Sequence, residues 1–390
     1  MKTMSFTQLS HRRKTYPLFL ILLTIFPFLT SCKGDSKPGK PGTADSARKG
    51  VAVTHDSAGI AVGGGDTTLA TGFTDAKPID DSTTTYTLRV SPHVGDAYSF
   101  RVAQKAITEF MGQKATEEEV YSFTQRITGT NDDGSFTVEM RYDSIRSKKS
   151  FPPGVVDSVA KTFAYDTRLK LDTTMPEAKQ AKALIGQRVN LTLSKTGEVK
   201  EISNIEPILS GMLGKARDSV PPKALEQLRA GIKLAVFQAI VQQLFLQTIP
   251  DAGVKLGQSW TRRDTVPLSL PIASVSSRSL VNYKLGEIRS LNDQKIGHVT
   301  YALSTEFPNR KMDNKDGVAT LDEAAAVGKG DALIDLVTGF PVRKMTQIDV
   351  KLKITGKPKV GPNAGKSQSL SQSKSTTTIV DLLGFTAAAK

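Results

Sequence analysis

The chain has 390 residues, a formal net charge of +14 and one cysteine, Cys32. This length can bury a large hydrophobic core without covalent cross-links, and a single cysteine excludes an intramolecular disulfide. The basic excess does not indicate a nucleic acid partner, because the amino-terminal sequence is typical of an exported protein.

A short apolar segment near the amino terminus predicts export and lipidation. His11 to Lys14 form a positively charged region, Leu18 to Leu29 form an apolar run, and Leu29-Thr30-Ser31-Cys32 fits the bacterial lipobox. The run is shorter than the roughly 20 residues that span a bilayer, and Pro27 interrupts it, so a transmembrane helix is disfavoured. We therefore expect cleavage before Cys32 and attachment of diacylglycerol to its sulfur, which gives Cys32 covalent acyl groups.

This lipidation predicts the location of the protein. Residues 1–31 would be removed as a signal peptide, and residues 32–81, rich in Gly, Ser, Thr, Pro, Asp and Lys, would form a flexible tether. Lys33 replaces the aspartate that often signals retention in the inner membrane, so we expect an outer-membrane lipid anchor. The mixed charges after Cys32 favour the periplasmic side over the cell surface. The membrane is therefore the first predicted partner.

Residues 82–390 are predicted to form one β-rich domain. Apolar residues alternate at Tyr98-Ser99-Phe100 and at Phe136-Thr137-Val138, as is typical of half-buried strands. A helical block over about 205–249 follows, in which Lys223 to Thr248 has apolar residues at helical spacing. Strand patterns then return, and a basic polar loop with a last strand is predicted over 355–385.

The domain also shows an internal repeat, about 82–204 and 251–354. Val94-Gly95-Asp96-Ala97-Tyr98 resembles Leu256-Gly257-Gln258-Ser259-Trp260, and a glycine turn follows at a similar distance in each half. The predicted fold class is α+β, mainly β. Two pseudo-repeats would form a strongly curved antiparallel sheet or open half-barrel, with a long amphipathic helix packed against its concave face.

Several motifs resemble a family of uncharacterised lipoproteins from Bacteroidota-type bacteria. They are the lipobox, the polar tether, Asp133 to Ile145, Lys255 to Trp260 and Gly328 to Val342. The resemblance covers roughly residues 84–354. It implies a domain of unknown function with two β-repeats around a helical block, an envelope location and no catalytic residues. A curved sheet with a helix is also similar to the half-barrels of lipoprotein carriers, an analogy of fold only.

Few residues have the pattern of a catalytic or metal site. His93 and His298 are the histidines of the predicted domain, and no HExxH or Cys/His ligand spacing accompanies them, so no metal site is expected. Glu117-Glu118-Glu119 is interpreted as a solvated segment before a strand. We therefore predict a non-enzymatic protein with no cofactor besides the acyl groups on Cys32.

Two functions are compatible with these features. The first is a binding module whose sheet and helix enclose an apolar or lipid-like ligand, and the second is a scaffold whose surface binds another envelope protein. The candidate cavity residues are Tyr98, Phe100, Phe136, Val138, Leu228, Val236, Phe237 and Phe245. An apolar pocket above about 300 Å3 would favour the binding module, and a filled interior would favour the scaffold.

Overall fold

The computed structural model describes residues 76–388, apart from short gaps. The gaps are residues 111, 154–159, 172–174, 237–243, 245–249, 251, 271–272, 292, 314–316 and 360–363. The predicted signal peptide, Cys32 and most of the predicted tether precede residue 76 and lie outside the described residues. Phe237 and Phe245 also lie outside them.

Long strands make up most of the described chain. In chain order they are β1 Lys77–Pro78, β2 Thr85–Tyr86, β3 Ala97–Phe110, β4 Gln113–Thr130, β5 Phe136–Phe151, β6 Lys161–Asp166, β7 Arg188–Leu193, β8 Val199–Ser203, β9 Val254–Lys255, β10 Ser259–Leu270, β11 Ala273–Leu291, β12 Gln294–Glu306, β13 Lys311–Asp313, β14 Gly317–Asp335, β15 Pro341–Pro358 and β16 Gln368–Thr386. All but β2 and β9 belong to one large sheet, and β2 and β9 pair with each other.

The large sheet is antiparallel and is not closed into a barrel. Its strand order is β1-β11-β12-β14-β15-β16-β3-β4-β5-β7-β8, with β10 beside β11, β13 beside β14 and β6 beside β5. The two ends of this path do not pair with each other among the described strands. The prediction of a mainly β chain with a large antiparallel sheet is therefore confirmed.

The last strand joins the two halves of the sheet. β16 pairs with β15 through Arg343 and Asp381, and with β3 through Asp381 and Arg101. On these three strands, Arg101 Nη2 donates to Asp381 Oδ2 at 2.7 Å, and Arg343 Nε lies 3.8 Å from Asp381 Oδ1. The carboxylate of Asp381 thus contacts a cation from each half.

Alternation along the strands gives the sheet an inner and an outer face. On β3, the side chains of Tyr98, Phe100 and Val102 are at most 2% exposed, whereas those of Ser99 and Arg101 between them are half-buried. Successive residues of a strand point to opposite faces, so the first three define the inner face. The main hydrophobic core lies on this face.

Short helices cover the inner face of the amino-terminal half. They are α1 Pro176–Leu184, α2 Glu206–Leu213 and α3 Pro222–Val236, with a 3-10 helix at Gly214–Ser219 between α2 and α3. Ala181, Ile208, Leu209 and Val236 from these helices join the core cluster of the sheet.

The long helix predicted over Lys223 to Thr248 is not supported. The described part of that segment is α3, Pro222–Val236, and residues 237–243 and 245–249 lie outside the described residues. Apolar spacing continues beyond α3, and Leu244 is buried in the same core cluster.

The segment before β3 runs across both halves of the sheet. Ile79 N donates to Ile288 O at 2.8 Å, and Val90 N donates to Lys195 O at 3.0 Å. Ser91 N donates to Thr338 O at 2.9 Å. We call residues 76–92 the strap, because these bonds tie it to β11, to the β7–β8 turn and to the β14–β15 turn.

Two turns of the sheet have matching geometry. Gly95 and Gly257 have φ values of +98° and +81°, where glycine is favoured. Gly95 N donates to Ile127 O at 2.8 Å, and Gly257 N donates to Leu285 O at 2.7 Å. In each half, the N–H of the accepting residue donates back to the carbonyl after the glycine, at 2.9 and 3.1 Å. The predicted repeat stays a prediction for the rest of the two halves.

Candidate functional site

The residues predicted to line an apolar cavity lie in the main core cluster. Tyr98, Phe100, Phe136, Val138 and Val236 are at most 2% exposed, and Leu228 is packed against them from α3. Their rings contact other aromatic rings of the cluster: Tyr98 stacks on Phe340 with centroids 4.1 Å apart. The structure thus brings together the six of these residues that it describes, and side chains of the protein surround them.

A separate groove lies elsewhere on the sheet, with a volume of about 660 Å3. We call it the outer groove. It is lined by Ala103, Gln104, Lys105, Glu118, Glu119, Val120, Arg146, Ser147, Lys148, Ala164, Tyr165, Asp166, Leu169, Lys170, Leu171, Thr377 and Ile379. None of the predicted cavity residues is among them.

The strand register places the groove on the outer face. One row across the sheet runs Ile379, Ala103, Val120, Arg146 and Asp166, each paired with the next. Directly paired residues lie on the same face of a sheet, and Ala103 is an odd number of residues from Tyr98 and Phe100. This row therefore points away from the main core.

A second row beside the first supplies charge. It runs Thr377, Lys105, Glu118, Lys148 and Ala164 across the same five strands, β16, β3, β4, β5 and β6. Ile379, Ala103 and Val120 of the first row form an aliphatic floor, and Arg146 and Asp166 of that row add to the charged side chains of the second.

The loop after β6 forms one end of the groove. Its backbone is held by a bond from Leu169 N to Asp166 O at 3.0 Å, and Thr167 N donates to Ile145 O at 2.9 Å. Leu169 is 70% exposed and lines the groove next to its aliphatic floor. The loop therefore adds apolar surface that the folded chain leaves in water.

The carboxylates of the groove already have cations. Lys105 Nζ lies 3.0 Å from Glu118 Oε1. The Arg168 guanidinium donates to both oxygens of Asp166, from Nε at 3.0 Å and from Nη2 at 2.6 Å, and these bonds lower the pKa of Asp166 below its ordinary value. Within the described residues, no carboxylate lies within ion-pair distance of Lys148 or Lys170. The groove therefore has an excess of positive charge.

The three adjacent glutamates do not form the solvated segment predicted from the sequence. They lie inside β4, and alternation turns Glu117 and Glu119 to the inner face. Lys149 Nζ lies 3.4 Å and 3.3 Å from their Oε1 atoms. Burial alone would lower the pKa of Lys149, but the carboxylates of Glu119 and Glu117 raise it above its ordinary value. The interpretation was wrong because Lys149 of β5 supplies the charge that lets these glutamates sit in a strand.

A buried lysine on the inner face makes stability depend on pH. Lys344 is 7% exposed with its Nζ 6.0 Å from the Tyr301 ring centroid, and burial lowers its pKa to about 8. An unfolded lysine keeps its proton up to about pH 10.4, so the unfolded chain binds more protons above pH 8. We expect Lys344 to contribute a rise of about 2 kcal/mol in the free energy of unfolding from pH 8 to pH 10, whereas tyrosines such as Tyr98 and Tyr142, whose pKa values burial raises, contribute a fall near pH 10.

Urea unfolding at several pH values checks this expectation, with Lys344→Met as the comparison. Burial also lowers the pKa of Lys374, which gives a rise of the same sign, so only the part lost in Lys344→Met belongs to Lys344. Parallel stability curves for the two proteins would show that Lys344 keeps an ordinary pKa.

Neither a cluster of metal-binding side chains nor a membrane-spanning helix occurs among the described residues. No group of three or more His, Cys, Asp or Glu side chains there could hold a metal ion. None of the helices in this part of the chain is long and apolar enough to cross a membrane.

Solved structures resemble the chain only weakly. Lipovitellin is 11% identical with a TM-score of 0.39; the match covers 77% of this chain but 26% of lipovitellin. OccK5 of Pseudomonas aeruginosa is 7% identical with a TM-score of 0.17 and coverage of 75% and 99%. A DUF1329 family protein from Desulfovibrio piger is 9% identical with a TM-score of 0.13 and coverage of 75% and 86%. These scores are too low to support an argument about function.

The sequence itself matches a family but no characterised relative. No curated protein matches the chain. The model of a family of unknown function, DUF6263, matches residues 133–341, which is more than half of the chain. The protein therefore belongs to the DUF6263 family.

Proposed function

We propose that the protein is a non-enzymatic binding module of the bacterial envelope that holds an apolar or lipid-like ligand. The observation that carries this proposal is the outer groove, which combines an aliphatic floor with charged side chains in a volume of about 660 Å3. Ligand sites in proteins are mostly apolar concavities of about 300–1,000 Å3 with a few polar groups that orient the ligand. The groove has both properties.

The location in the proposal comes from the sequence. An acylated Cys32 would anchor the chain in the outer membrane, on the periplasmic side, and residues 33–75 would give the folded part reach from the membrane surface. The lipobox also supports membership of a Bacteroidota-type lipoprotein group within the family. The matched turns at Gly95 and Gly257 support a duplicated β unit.

A scaffold that binds another envelope protein is the second candidate. The observation that favours it is that side chains fill the inner face of the sheet. In the main core, Tyr98, Phe100 and Phe340 are in ring contact with one another. In that case the outer groove would be a surface contact for a protein.

Mass spectrometry of the chain and of a Cys32→Ser variant tests the anchor and the ligand together. Under denaturing conditions, we expect the chain to be cut before Cys32 and to carry covalent acyl mass that the variant lacks. The variant, exported behind a conventional cleavable signal peptide, keeps every groove residue. Under native conditions we expect it to retain non-covalent mass that dissociates as acyl species.

The two readouts fail separately. Equal masses for the two mature chains under denaturing conditions would contradict the lipid anchor. A bare native mass after incubation with envelope lipids would contradict the binding module and favour the scaffold.

A further inference from the structure

We propose that the outer groove binds one single-chain anionic amphiphile, with the acyl chain on its aliphatic floor and the carboxylate or phosphate head group between Lys148 and Lys170. This inference rests on the proposed function, which it narrows to a ligand class and a position. Neither the fold nor the family assigns this site.

The floor of the groove accounts for the acyl chain. Ala103, Val120 and Ile379 lie side by side on three neighbouring strands of the outer face. Leu169 and Leu171 approach this floor from the loop after β6. Aliphatic surface removed from water by a hydrocarbon chain favours binding in proportion to its area, and most of Leu169 is available for such contact.

The charges of the groove account for an anionic head group. Glu118 is held by Lys105 at 3.0 Å, and Asp166 is held by the Arg168 guanidinium. The described part of the chain offers Lys148 and Lys170 no carboxylate within ion-pair distance. A ligand carboxylate or phosphate would supply the missing charge. The two lysines would repel a cationic head group, so the site should discriminate between ligands by charge as well as by shape.

Aliphatic floor and cations together exclude simpler ligands. An inorganic anion would leave the floor in water, and a neutral hydrocarbon would leave the two lysines without a counter-charge. The volume of about 660 Å3 is in the middle of the range for a site that holds one small ligand, which suits a single acyl chain.

Three ligands with the same chain and different head groups test the inference. Dodecanoate, dodecyl phosphate and dodecyltrimethylammonium are titrated calorimetrically, each below its micellar concentration, into residues 32–390 carrying Cys32→Ser. We expect both anions to bind at least about tenfold more tightly than the cation, because the head groups differ in sign at a positive site. The ratio between the two anions reports whether the natural source is a fatty acid or a lipid phosphate.

Charge reversal locates the head group. Lys148→Glu with Lys170→Glu is expected to weaken both anions at least about tenfold and to leave the melting temperature unchanged, because both lysines are exposed. The matched control is Lys351→Glu with Lys353→Glu, two exposed lysines of β15 on the same outer face but outside the groove, which should leave binding unchanged. Val120→Gln, on the floor, should weaken all three ligands alike.

Each contrary outcome has one reading. Equal anion binding by the groove variant and its control would overturn the head-group site. Inorganic phosphate that binds as tightly as dodecyl phosphate would overturn the role of the chain. Failure of all three ligands, with lipid still present in the native mass spectrum, would overturn this inference and leave the proposed function standing. Failure together with a bare native mass would overturn both.

Discussion

Alanine in place of Gly339 is expected to destabilise the fold by about 3 kcal/mol or more, through strain and the loss of strap hydrogen bonds. Gly339 has a φ of +72°, and a Cβ there would lie 2.2 Å from the carbonyl oxygen of Arg89 and 2.8 Å from Val90 N. These are backbone atoms of the strap, so a side-chain rotation cannot relieve the clash. Separation of the strap from the β14–β15 turn would break the bond from Ser91 N to Thr338 O.

Thermal unfolding measures this loss, and a second glycine separates its two causes. Gly365 has a φ of +77° with nothing within 4 Å of the Cβ position. Gly365→Ala should therefore cost only the conformational strain, about 1–2 kcal/mol. If both variants lost the same stability, the strap would not press against the β14–β15 turn.

The strand-rich part of the fold could be predicted because its signal is local. Tyr98, Phe100, Phe136 and Val138 alternate with polar residues, and burial of one side of a sheet is enough to impose that pattern. The order in which the strands pair has no such local signal. That β16 joins β15 to β3 depends on contacts between residues far apart in the chain, and no local pattern records them.

The outer groove could not be predicted for the same reason. Its floor is made by Ala103, Val120 and Ile379, single residues of three strands that meet only through the sheet register. Each of these residues lies on the outer face, where strand alternation predicts side chains in contact with water. One signal was present: Val120 and Ile379 are β-branched aliphatic residues on outer-face positions, where polar residues are expected. The sequence-based reasoning placed the ligand on the inner face instead, since that is where most apolar residues cluster.

Replacement of Val236 by aspartate is the second change for which we expect a large effect, a loss of about 3–5 kcal/mol. Val236 is 1% exposed and belongs to the main core cluster, together with Ile232 one turn earlier on α3. A carboxylate there would be buried among apolar side chains without a partner. The cost would appear as a lower urea midpoint with an unchanged m value, because the unfolded chain is the same.

The helix itself provides the control. Ala230 is exposed on α3, so Ala230→Asp introduces the same side chain into the same helix and should cost less than about 1 kcal/mol, the difference in helix propensity. Acidity adds a second test. Burial raises the pKa of a carboxyl, so the penalty of Val236→Asp should shrink as the pH falls from the raised pKa of the folded state to about 4, the unfolded value, and should change no further below it. A small, pH-independent loss would mean that α3 is not docked on the sheet through Val236, and the core beneath the helices would need another cover.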